Sequence, residues 1–150
     1  MSDPDVIAGL LLTVIERGPA LTLLQSQGNA CVWCPRALHT GDAVNLGGDP
    51  YWCPRACKAC HATHTQAMAT YADWNDHLLL CPECREDKPC PFPSPLRAAH
   101  VEARRRAGRP SVWCMRCLST MTPAEAWQPH LWQSVRGPEL SYVHTGTCPR

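Results

Sequence analysis

The cysteines are the residues of this sequence whose type and spacing point to a particular chemistry. Four pairs follow the pattern Cys-x2-Cys: Cys31/Cys34, Cys57/Cys60, Cys81/Cys84 and Cys114/Cys117. Random placement of eleven cysteines in 150 residues gives only about one such pair. Two thiolates at this spacing in a tight turn point at one metal ion about 2.3 Å from each sulfur. The pattern is therefore typical of structural zinc sites.

Two histidines extend the pattern, because three residues separate His77 from Cys81 and His144 from Cys148. Grouping the ligands in chain order predicts three zinc sites. Site A is Cys31, Cys34, Cys57 and Cys60; site B is His77, Cys81, Cys84 and Cys90; site C is Cys114, Cys117, His144 and Cys148. These sites use ten of the eleven cysteines.

Other groupings of the ligands are open. His130 competes as the fourth ligand of site C. Two sites, which could be cross-braced, form instead if only the four cysteine pairs bind metal. Cys53 is left over, either as a free buried thiol or as a replacement for Cys57 or Cys60. The zinc content of the chain separates the two groupings.

Zinc suits these cysteines better than disulfide bonds or an iron–sulfur cluster. An odd number of cysteines does not favour a fully bridged framework, and residues 1–5 are acidic where a secretory signal carries positive charge. We therefore expect a cytoplasmic protein with reduced thiols. No apolar stretch approaches the 18 or so residues of a membrane span, so we expect no membrane insertion.

The composition leaves little material for an ordinary hydrophobic core. Phe occurs once, Cys eleven times and Pro fifteen times, so metal has to replace part of that core. We predict a small metal-stabilised α+β fold of tandem zinc-ribbon-like or treble-clef-like modules with an N-terminal helical hairpin. The predicted parts are a helical segment (1–29), zinc modules (30–93), a proline-rich linker with a basic helix (94–110), and a C-terminal zinc module (111–150).

The N-terminal segment carries the signals of a helix over residues 4–17. Asp3 suits the N-cap and Pro4 the first helical position. Gly18-Pro19 ends the helix, and a short apolar piece at residues 21–24 is expected to fold back on it. This hairpin either packs on the zinc modules or mediates self-association through residues 4–24, because its apolar face is wide.

Further elements are predicted around the ligands. The second pair of site A is expected to open a helix over 61–80. His61 and His64 face one way on this helix and could capture a metal, but beside a filled site we expect them to be solvated. Four prolines in residues 89–95 predict a stiff linker that is neither helix nor central strand. A basic helix is expected over 96–107 and a strand over 140–144. Another helix is expected to start at Thr122, because Thr122 and Glu125 match a capping box.

Charge is unevenly distributed along the chain. The net charge is +1, but residues 97–150 hold eight basic and three acidic side chains. Phosphate contact would use the arginines Arg97, Arg104, Arg105, Arg106 and Arg109. The alternative is a solvated helix end that complements its own dipole. Filling the three sites with zinc changes the net charge from +1 to about −3, so a uniformly basic surface is excluded.

Half of the chain carries a recurring order of motifs. These are the Cys31/Cys34 pair, Leu46-Gly47-Gly48, the run from Pro54 to Cys60, Cys81-x2-Cys84-x5-Cys90, and a helix with Leu96-Arg97 and Glu102 to Arg105. In this order, residues 31–106 resemble small cysteine-rich zinc-ribbon-like proteins common in high-GC actinobacteria. The resemblance implies metal sites and a cytoplasmic location, but no biochemical role. Cys53 and everything beyond Arg109 depart from the pattern.

Catalysis is not expected. Catalytic zinc keeps an open coordination position, whereas four protein ligands can fill each predicted site. His100-x-Glu102 followed by Cys114-x2-Cys117 superficially matches the nucleobase deaminases. However, eleven residues between Glu102 and Cys114 are too few for the strand and turns of that fold. We therefore expect a binding protein rather than an enzyme.

Two functions remain. The first is a zinc-stabilised nucleic-acid-binding or transcription-associated regulatory module that places the arginines on phosphate. The alternative is a zinc-scaffolded protein–protein interaction adaptor without catalytic activity, which presents tryptophans to its partner. The tryptophans concerned are Trp33, Trp52, Trp113, Trp127 and Trp132. The arginine cluster favours the first function, and the near-neutral net charge favours the second.

Overall fold

Short helices and very short strands alternate in the computed structural model, which describes residues 3–16, 18–135 and 137–148. The helices are α1 (Pro4–Glu16), α2 (Leu23–Ser26), α3 (Lys58–Leu80), α4 (Pro82–Arg85) and α5 (Pro93–Arg106). The strands are β1 (Ala43–Asn45), β2 (Arg55–Cys57), β3 (Val112–Trp113), β4 (Thr120–Met121), β5 (Trp127–Pro129), β6 (Trp132–Ser134), β7 (Gly137–Glu139) and β8 (Tyr142–His144). They pair antiparallel as β1–β2, β3–β4, β5–β8 and β6–β7. This is a small mixed fold of helices and two-stranded sheets.

Two helices form in the N-terminal segment, with a shift in the second, and their packing as a hairpin stays a prediction. The side chain of Asp3 accepts the N–H of Asp5 at 2.9 Å, as expected of an N-cap. Position 17, the last of the predicted helix, lies outside the described residues. The second helix begins at Leu23 rather than at residue 21, because Thr22 and Gln25 form a reciprocal capping box.

The helix after site A confirms the prediction. Cys57 is the N-cap of α3, which continues for 23 residues to Leu80. Its buried face carries Met68, Tyr71 and Trp74. This long helix is the element against which α1 and α5 pack.

The predicted linker at residues 89–95 is only partly correct. Pro93, Ser94 and Pro95 form the first turn of α5, and the N–H of Leu96 donates to the carbonyl of Phe92 at 3.2 Å. Proline is tolerated there because the first N–H groups of a helix have no partner within it. The non-helical stretch therefore ends at residue 92.

The helix predicted to start at Thr122 is wrong. Thr122 and Glu125 make the capping contact, with the Thr122 N–H donating to Glu125 Oε2 at 2.7 Å, but they close a turn. The chain then enters β5 at Trp127, which pairs with His144. The predicted strand over 140–144 is β8, and it begins at Tyr142.

Two buried clusters make up the core. The larger core combines residues of α1, α3, α5 and the C-terminal strands, so these parts of the chain share one core. It consists of Leu10, Leu11, Ala67, Met68, Tyr71, Trp74, Ala103, Val112, Cys114, Met121, Trp127 and Tyr142. The smaller core surrounds site A and consists of Ile15, Cys31, Val32, Leu46, Ala56 and Cys57.

The apolar face of α1 is used within the chain. Leu10 and Leu11 lie in the larger core and Ile15 in the smaller one. Of the hairpin, Leu23 and Leu24 remain exposed. Self-association through residues 4–24 stays a prediction, and these two leucines are the residues on which it rests. In the described part of the chain no helix is both long enough and apolar enough to cross a membrane.

A buried polar network joins α3, α5 and β8. The hydroxyl of Tyr142 accepts from Arg104 Nη1 at 3.0 Å and lies 2.9 Å from His100 Nε2. The Tyr142 hydroxyl therefore donates its proton to His100 Nε2. The hydrogen of the imidazole then lies on His100 Nδ1, which donates to Thr70 Oγ1 at 3.0 Å. Burial, with the nearby Arg104 cation, lowers the pKa of His100 to about 3. His100 is therefore a neutral imidazole.

Candidate metal centres

The structure brings together each of the three predicted ligand sets. In site A, in site B and in site C, the four ligand atoms all lie within 4.8 Å of one another. Cys53 and His130 belong to none of these three groups. The described residues thus contain three compact sets of sulfur and nitrogen atoms that could each hold one metal ion.

The sulfur–sulfur distances match a shared ion rather than a bond. A tetrahedron with metal–sulfur bonds of about 2.3 Å has sulfur–sulfur edges of roughly 3.8 Å, whereas a disulfide measures about 2.0 Å. All eleven cysteines are unbridged. The observed distances are 4.0 Å for Cys34–Cys57, 3.9 Å for Cys81–Cys90 and 3.7 Å for Cys114–Cys148.

The two histidines approach their sites through different ring nitrogens. His77 Nε2 lies 3.4 Å from Cys84 Sγ and 3.3 Å from Cys90 Sγ. His144 Nδ1 lies 3.6 Å from Cys117 Sγ. Tetrahedral zinc gives nitrogen–sulfur edges of about 3.6 Å. Each imidazole is therefore placed to complete a set of three sulfurs and one nitrogen.

Site A joins a loop to the start of a helix. The Cys31 N–H donates to the Arg36 carbonyl at 2.9 Å and closes the turn that holds the first cysteine pair. Cys57 ends β2 and caps α3, so the N–H of Cys60 points at its sulfur at 3.5 Å. That backbone N–H lowers the pKa of Cys57 to about 7. The helix start thus favours a thiolate ligand.

Site B lies where three helices meet. His77 is in the last turn of α3, Cys81 separates α3 from α4, Cys84 lies in α4, and Cys90 precedes α5. All four ligands are partly exposed. Partial burial, with the thiols of Cys90 and Cys81, raises the pKa of Cys84 to about 12. This thiol ionises at neutral pH only if a cation shares the site.

Site C is built on strands. Cys114 follows β3, and His144 ends β8; both are buried. Burial raises the pKa of Cys114, but the N–H groups of His144, Cys117 and Arg116 outweigh it and lower the pKa to about 6. Burial and the neighbouring thiols raise the pKa of Cys148 to about 11. The Cys114 thiolate forms readily there, whereas the Cys148 thiol needs a metal ion to ionise at neutral pH.

Glu125 is a site residue that the sequence pattern did not reveal as one. Its Oε2 accepts from Thr122, while its Oε1 lies 3.8 Å from Nε2 of His144, which has no hydrogen-bond partner among the described residues. A carboxylate behind a metal-binding imidazole fixes the ring and its tautomer. The capping pattern was visible in the sequence, but the approach of His144 depends on the pairing of β5 with β8.

The expectation of solvated histidines on α3 is wrong for His64. This residue is buried, and its ring stacks on Trp33 with centroids 4.0 Å apart. Burial, followed by the charges of Arg109 and Arg104, lowers the pKa of His64 to about 4. His61 contacts Thr65 instead, at 3.5 Å.

Two of the five candidate phosphate-binding arginines make internal contacts. Arg97 Nη2 donates to the carbonyls of Pro123 and Glu125 at 2.7 and 2.8 Å, and its guanidinium lies 5.2 Å from the Trp127 ring centre. Arg104 is buried, and its Nη2 donates to the Ser111 carbonyl at 2.8 Å. Both side chains hold α5 against the C-terminal part of the chain.

The other three arginines are more accessible. Arg105 and Arg106 are exposed and share one carboxylate, Glu102, at 2.8 and 2.9 Å. Arg109 is half-buried, and burial lowers its pKa, as does the nearby Arg104 cation. The five arginines therefore do not form one continuous basic face.

A cleft with apolar walls opens beside site C. It has a volume of about 750 Å³ and lies between the end of α1, the middle of α3, the end of α5 and the loops of the C-terminal part. Trp113, Met115, Leu118 and Trp132 line it and are exposed. We call it the Trp113 cleft. Of the other tryptophans, Trp127 is buried and Trp33 and Trp52 are half-buried.

Comparison with known proteins gives no relative: no protein-family model, no curated protein and no solved structure matches the chain.

Proposed function

We propose that the chain is a zinc-stabilised protein-interaction adaptor. Zinc ions in sites A, B and C stabilise the fold, and a partner protein docks in the Trp113 cleft. Four-sulfur and three-sulfur, one-nitrogen tetrahedra are the ligand sets that structural zinc prefers. A cysteine turn, the β1–β2 pair and a helix start surround site A, and this arrangement supports a treble-clef-like module there. Reduced thiolates suit a cytoplasmic location.

The rim of the Trp113 cleft is the observation that carries this proposal. Trp113 is 64% exposed and Leu118 is 69% exposed. Contiguous exposed apolar side chains around a concavity are characteristic of interaction sites. Tryptophan is also the residue most enriched among those that dominate binding energy.

Leu118 is not only exposed to water but also has a strained backbone conformation. Its φ is +60°, a left-handed conformation in which glycine is the least costly residue. The residue closes the Cys114–Cys117 turn, where its N–H donates to the Cys114 carbonyl at 2.8 Å. A leucine there combines backbone strain with exposure to water. Strain retained at an exposed position supports a role in binding.

The contacts of the arginines support phosphate binding less well. Arg97 and Arg104 donate to groups within the chain, and Arg105 and Arg106 share the Glu102 carboxylate. Zinc in all three sites brings the net charge to about −3. We therefore favour the adaptor over the nucleic-acid-binding module.

Selection of peptides from a random phage-displayed library on the zinc-loaded chain tests the proposal. Binding of the selected peptides is measured for three proteins: the natural chain, Leu118→Gly and the control Tyr51→Ser. Leu118→Gly relieves the backbone strain and removes the apolar contact, so we expect at least tenfold weaker binding with unchanged zinc content. Tyr51 is 93% exposed and lies outside the cleft, so its substitution should change nothing.

Binding to nucleic acid provides the opposing test. Fluorescence anisotropy of labelled duplex DNA and single-stranded RNA is measured at two salt concentrations. Failure to select any peptide, together with salt-sensitive nucleic-acid binding that Arg105→Ala/Arg106→Ala abolishes, would overturn the adaptor proposal in favour of phosphate contact.

A further inference from the structure

We infer that the Trp113 cleft recognises a partner segment in which a carboxylate lies next to a large apolar side chain. The inference rests on the proposed adaptor function and specifies the chemistry of the partner. Two arginines without a carboxylate partner in the cleft carry it.

Arg104 reaches the cleft without a carboxylate partner among the described residues, and its guanidinium lies 5.2 Å from the Tyr142 ring centre. The Arg104 side chain is only 9% exposed. Its two terminal nitrogens donate to neutral acceptors, the Tyr142 hydroxyl and the Ser111 carbonyl, at 3.0 and 2.8 Å. Its Nε is buried and has no hydrogen-bond partner among the described residues. None of these contacts brings a negatively charged group to the Arg104 guanidinium.

Arg109 is the second cation of the cleft. It is half-buried, and one of its terminal nitrogens lies near the backbone of Gly18, 3.8 Å from the place a Cβ would occupy. Within residues 3–16, 18–135 and 137–148, its guanidinium forms neither a hydrogen bond nor an ion pair. None of the described residues that line the cleft is Asp or Glu.

The two cations are not balanced by their surroundings. Burial, and then the charge of Arg104, lower the pKa of Arg109, as expected for two like charges that share one cleft. His64, in the same cleft, is neutral because burial and both arginines lower its pKa to about 4. A zinc-filled site C, whose Cys114 also lines the cleft, contributes one negative charge. One of the two positive charges then remains uncompensated, and one carboxylate would neutralise it.

The shape and chemistry of the cleft define the rest of the partner. A guanidinium fork binds a carboxylate through two parallel hydrogen bonds, and partial burial strengthens that contact. The neighbouring walls are apolar and include Val14, Met68, Val112 and Leu140. A partner segment with Asp or Glu beside Leu, Phe or Trp matches both features, whereas nucleic acid lacks the aliphatic side chain and a basic segment would add positive charge.

Titration with two blocked tripeptides that differ in one charge tests the inference. Acetyl-Asp-Leu-Trp-amide and acetyl-Asn-Leu-Trp-amide are added separately to the zinc-loaded full chain, and amide chemical shifts are followed by NMR. We expect the Asp peptide to bind roughly ten- to a hundredfold more tightly, the range of a charge-assisted hydrogen bond. The shifts should concentrate at Trp113 and Leu118.

Two substitutions localise the charge. Arg109→Gln should reduce binding of the Asp peptide to the level of the Asn peptide, because Arg109 is the accessible cation. Arg105→Gln is the matched control; Arg105 is exposed and already paired with Glu102, so the preference for Asp should persist. Arg104 is left unchanged because it also supports the larger core.

The outcomes separate the inference from the proposed function. Library selection of cleft-binding peptides without Asp or Glu, or equal binding of both tripeptides with shifts at the cleft, overturns the carboxylate preference and leaves the adaptor standing. Loss of the Asp preference in Arg105→Gln also overturns it. No shift with either tripeptide, together with no selected peptide, overturns both.

Discussion

Sites B and C have the same ligand set, three cysteines and one histidine, in opposite surroundings. In site C, Cys114 and His144 are buried, and Cys114 belongs to the larger core. In site B all four ligands are partly exposed, at the ends of helices that are packed elsewhere along their length. One ligand chemistry is thus placed in two structural settings. A metal ion bound at site C would complete the core, and one bound at site B would fasten helix ends.

The difference follows from the elements that carry the ligands. The strands around site C have two or three residues each, and isolated two-stranded pairs are marginal in water. By contrast, α3 and α5 meet near site B as helices of 23 and 14 residues with a buried interface of their own. Removing the ion should therefore unfold one region and only loosen the other.

The largest effect is expected for ligand removal at site C. Cys114→Ser should cost more than about 5 kcal/mol in the free energy of unfolding, because metal binding there is part of folding. Cys84→Ser at site B should cost less than half as much. Urea unfolding, followed by near-UV circular dichroism of the tryptophans, measures both. Equal losses at the two sites would contradict the comparison.

A smaller effect is expected within the core next to site C. Tyr142→Phe keeps the shape of the ring but leaves Arg104 Nη1 and His100 Nε2 without their partner, so the stability should fall by about 2–3 kcal/mol. Tyr51→Phe, at an exposed position, should change it by less than about 0.5 kcal/mol. The same unfolding measurement applies. A Tyr142→Phe protein as stable as the natural chain would show that the network is dispensable.

Because His100 is buried, we expect the stability of the folded chain to depend on pH. The pKa of His100 is about 3 in the folded chain and about 6.5 when unfolded. His100 binds a proton less readily in the folded state than in the unfolded state. The free energy of unfolding is therefore unaffected by His100 above pH 6.5, and it decreases as the pH falls toward 3. At pH 5 the loss is about 2 kcal/mol. Imidazole ¹⁵N shifts should report a neutral ring with hydrogen on Nδ1 at pH 5, and a protonation midpoint near 6.5 would refute this.

The smallest effect concerns the carboxylate behind His144. Glu125→Gln should weaken metal binding at site C about tenfold, because the imidazole loses its negatively charged neighbour. Glu16→Gln is the control; Glu16 is exposed and belongs to none of the three ligand groups, and no loss is expected. Competition with a chromophoric chelator measures both affinities. Unchanged affinity in Glu125→Gln would remove Glu125 from the site.

Patterns within short stretches of the sequence were sufficient to identify the candidate metal ligands. The spacing within Cys114-x2-Cys117 and from His144 to Cys148 is short, so the chain itself holds these side chains close together. The capping signal at Asp3 likewise acts over a few residues, and α1 begins where it indicates, whereas α3 begins at Lys58, three residues before its predicted start.

Distant contacts determined what the sequence did not reveal. The turn at Thr122 replaced a helix because β5 pairs with β8, a strand thirteen residues away. Arg104 became a core residue because Tyr142 and Ser111 receive its hydrogen bonds. The Trp113 cleft combines α1, α3, α5 and the C-terminal loops, and no pattern within one segment could show their approach.

Native mass spectrometry of the zinc-loaded chain tests the central claim most directly. The account predicts three zinc ions per chain, with ten sulfur and two nitrogen ligands among them, which X-ray absorption at the zinc edge would resolve as an average. The site C variant Cys114→Ser should lose one ion. Two zinc ions or fewer in the natural chain, or cysteines joined by disulfide bonds instead of by metal, would contradict this claim.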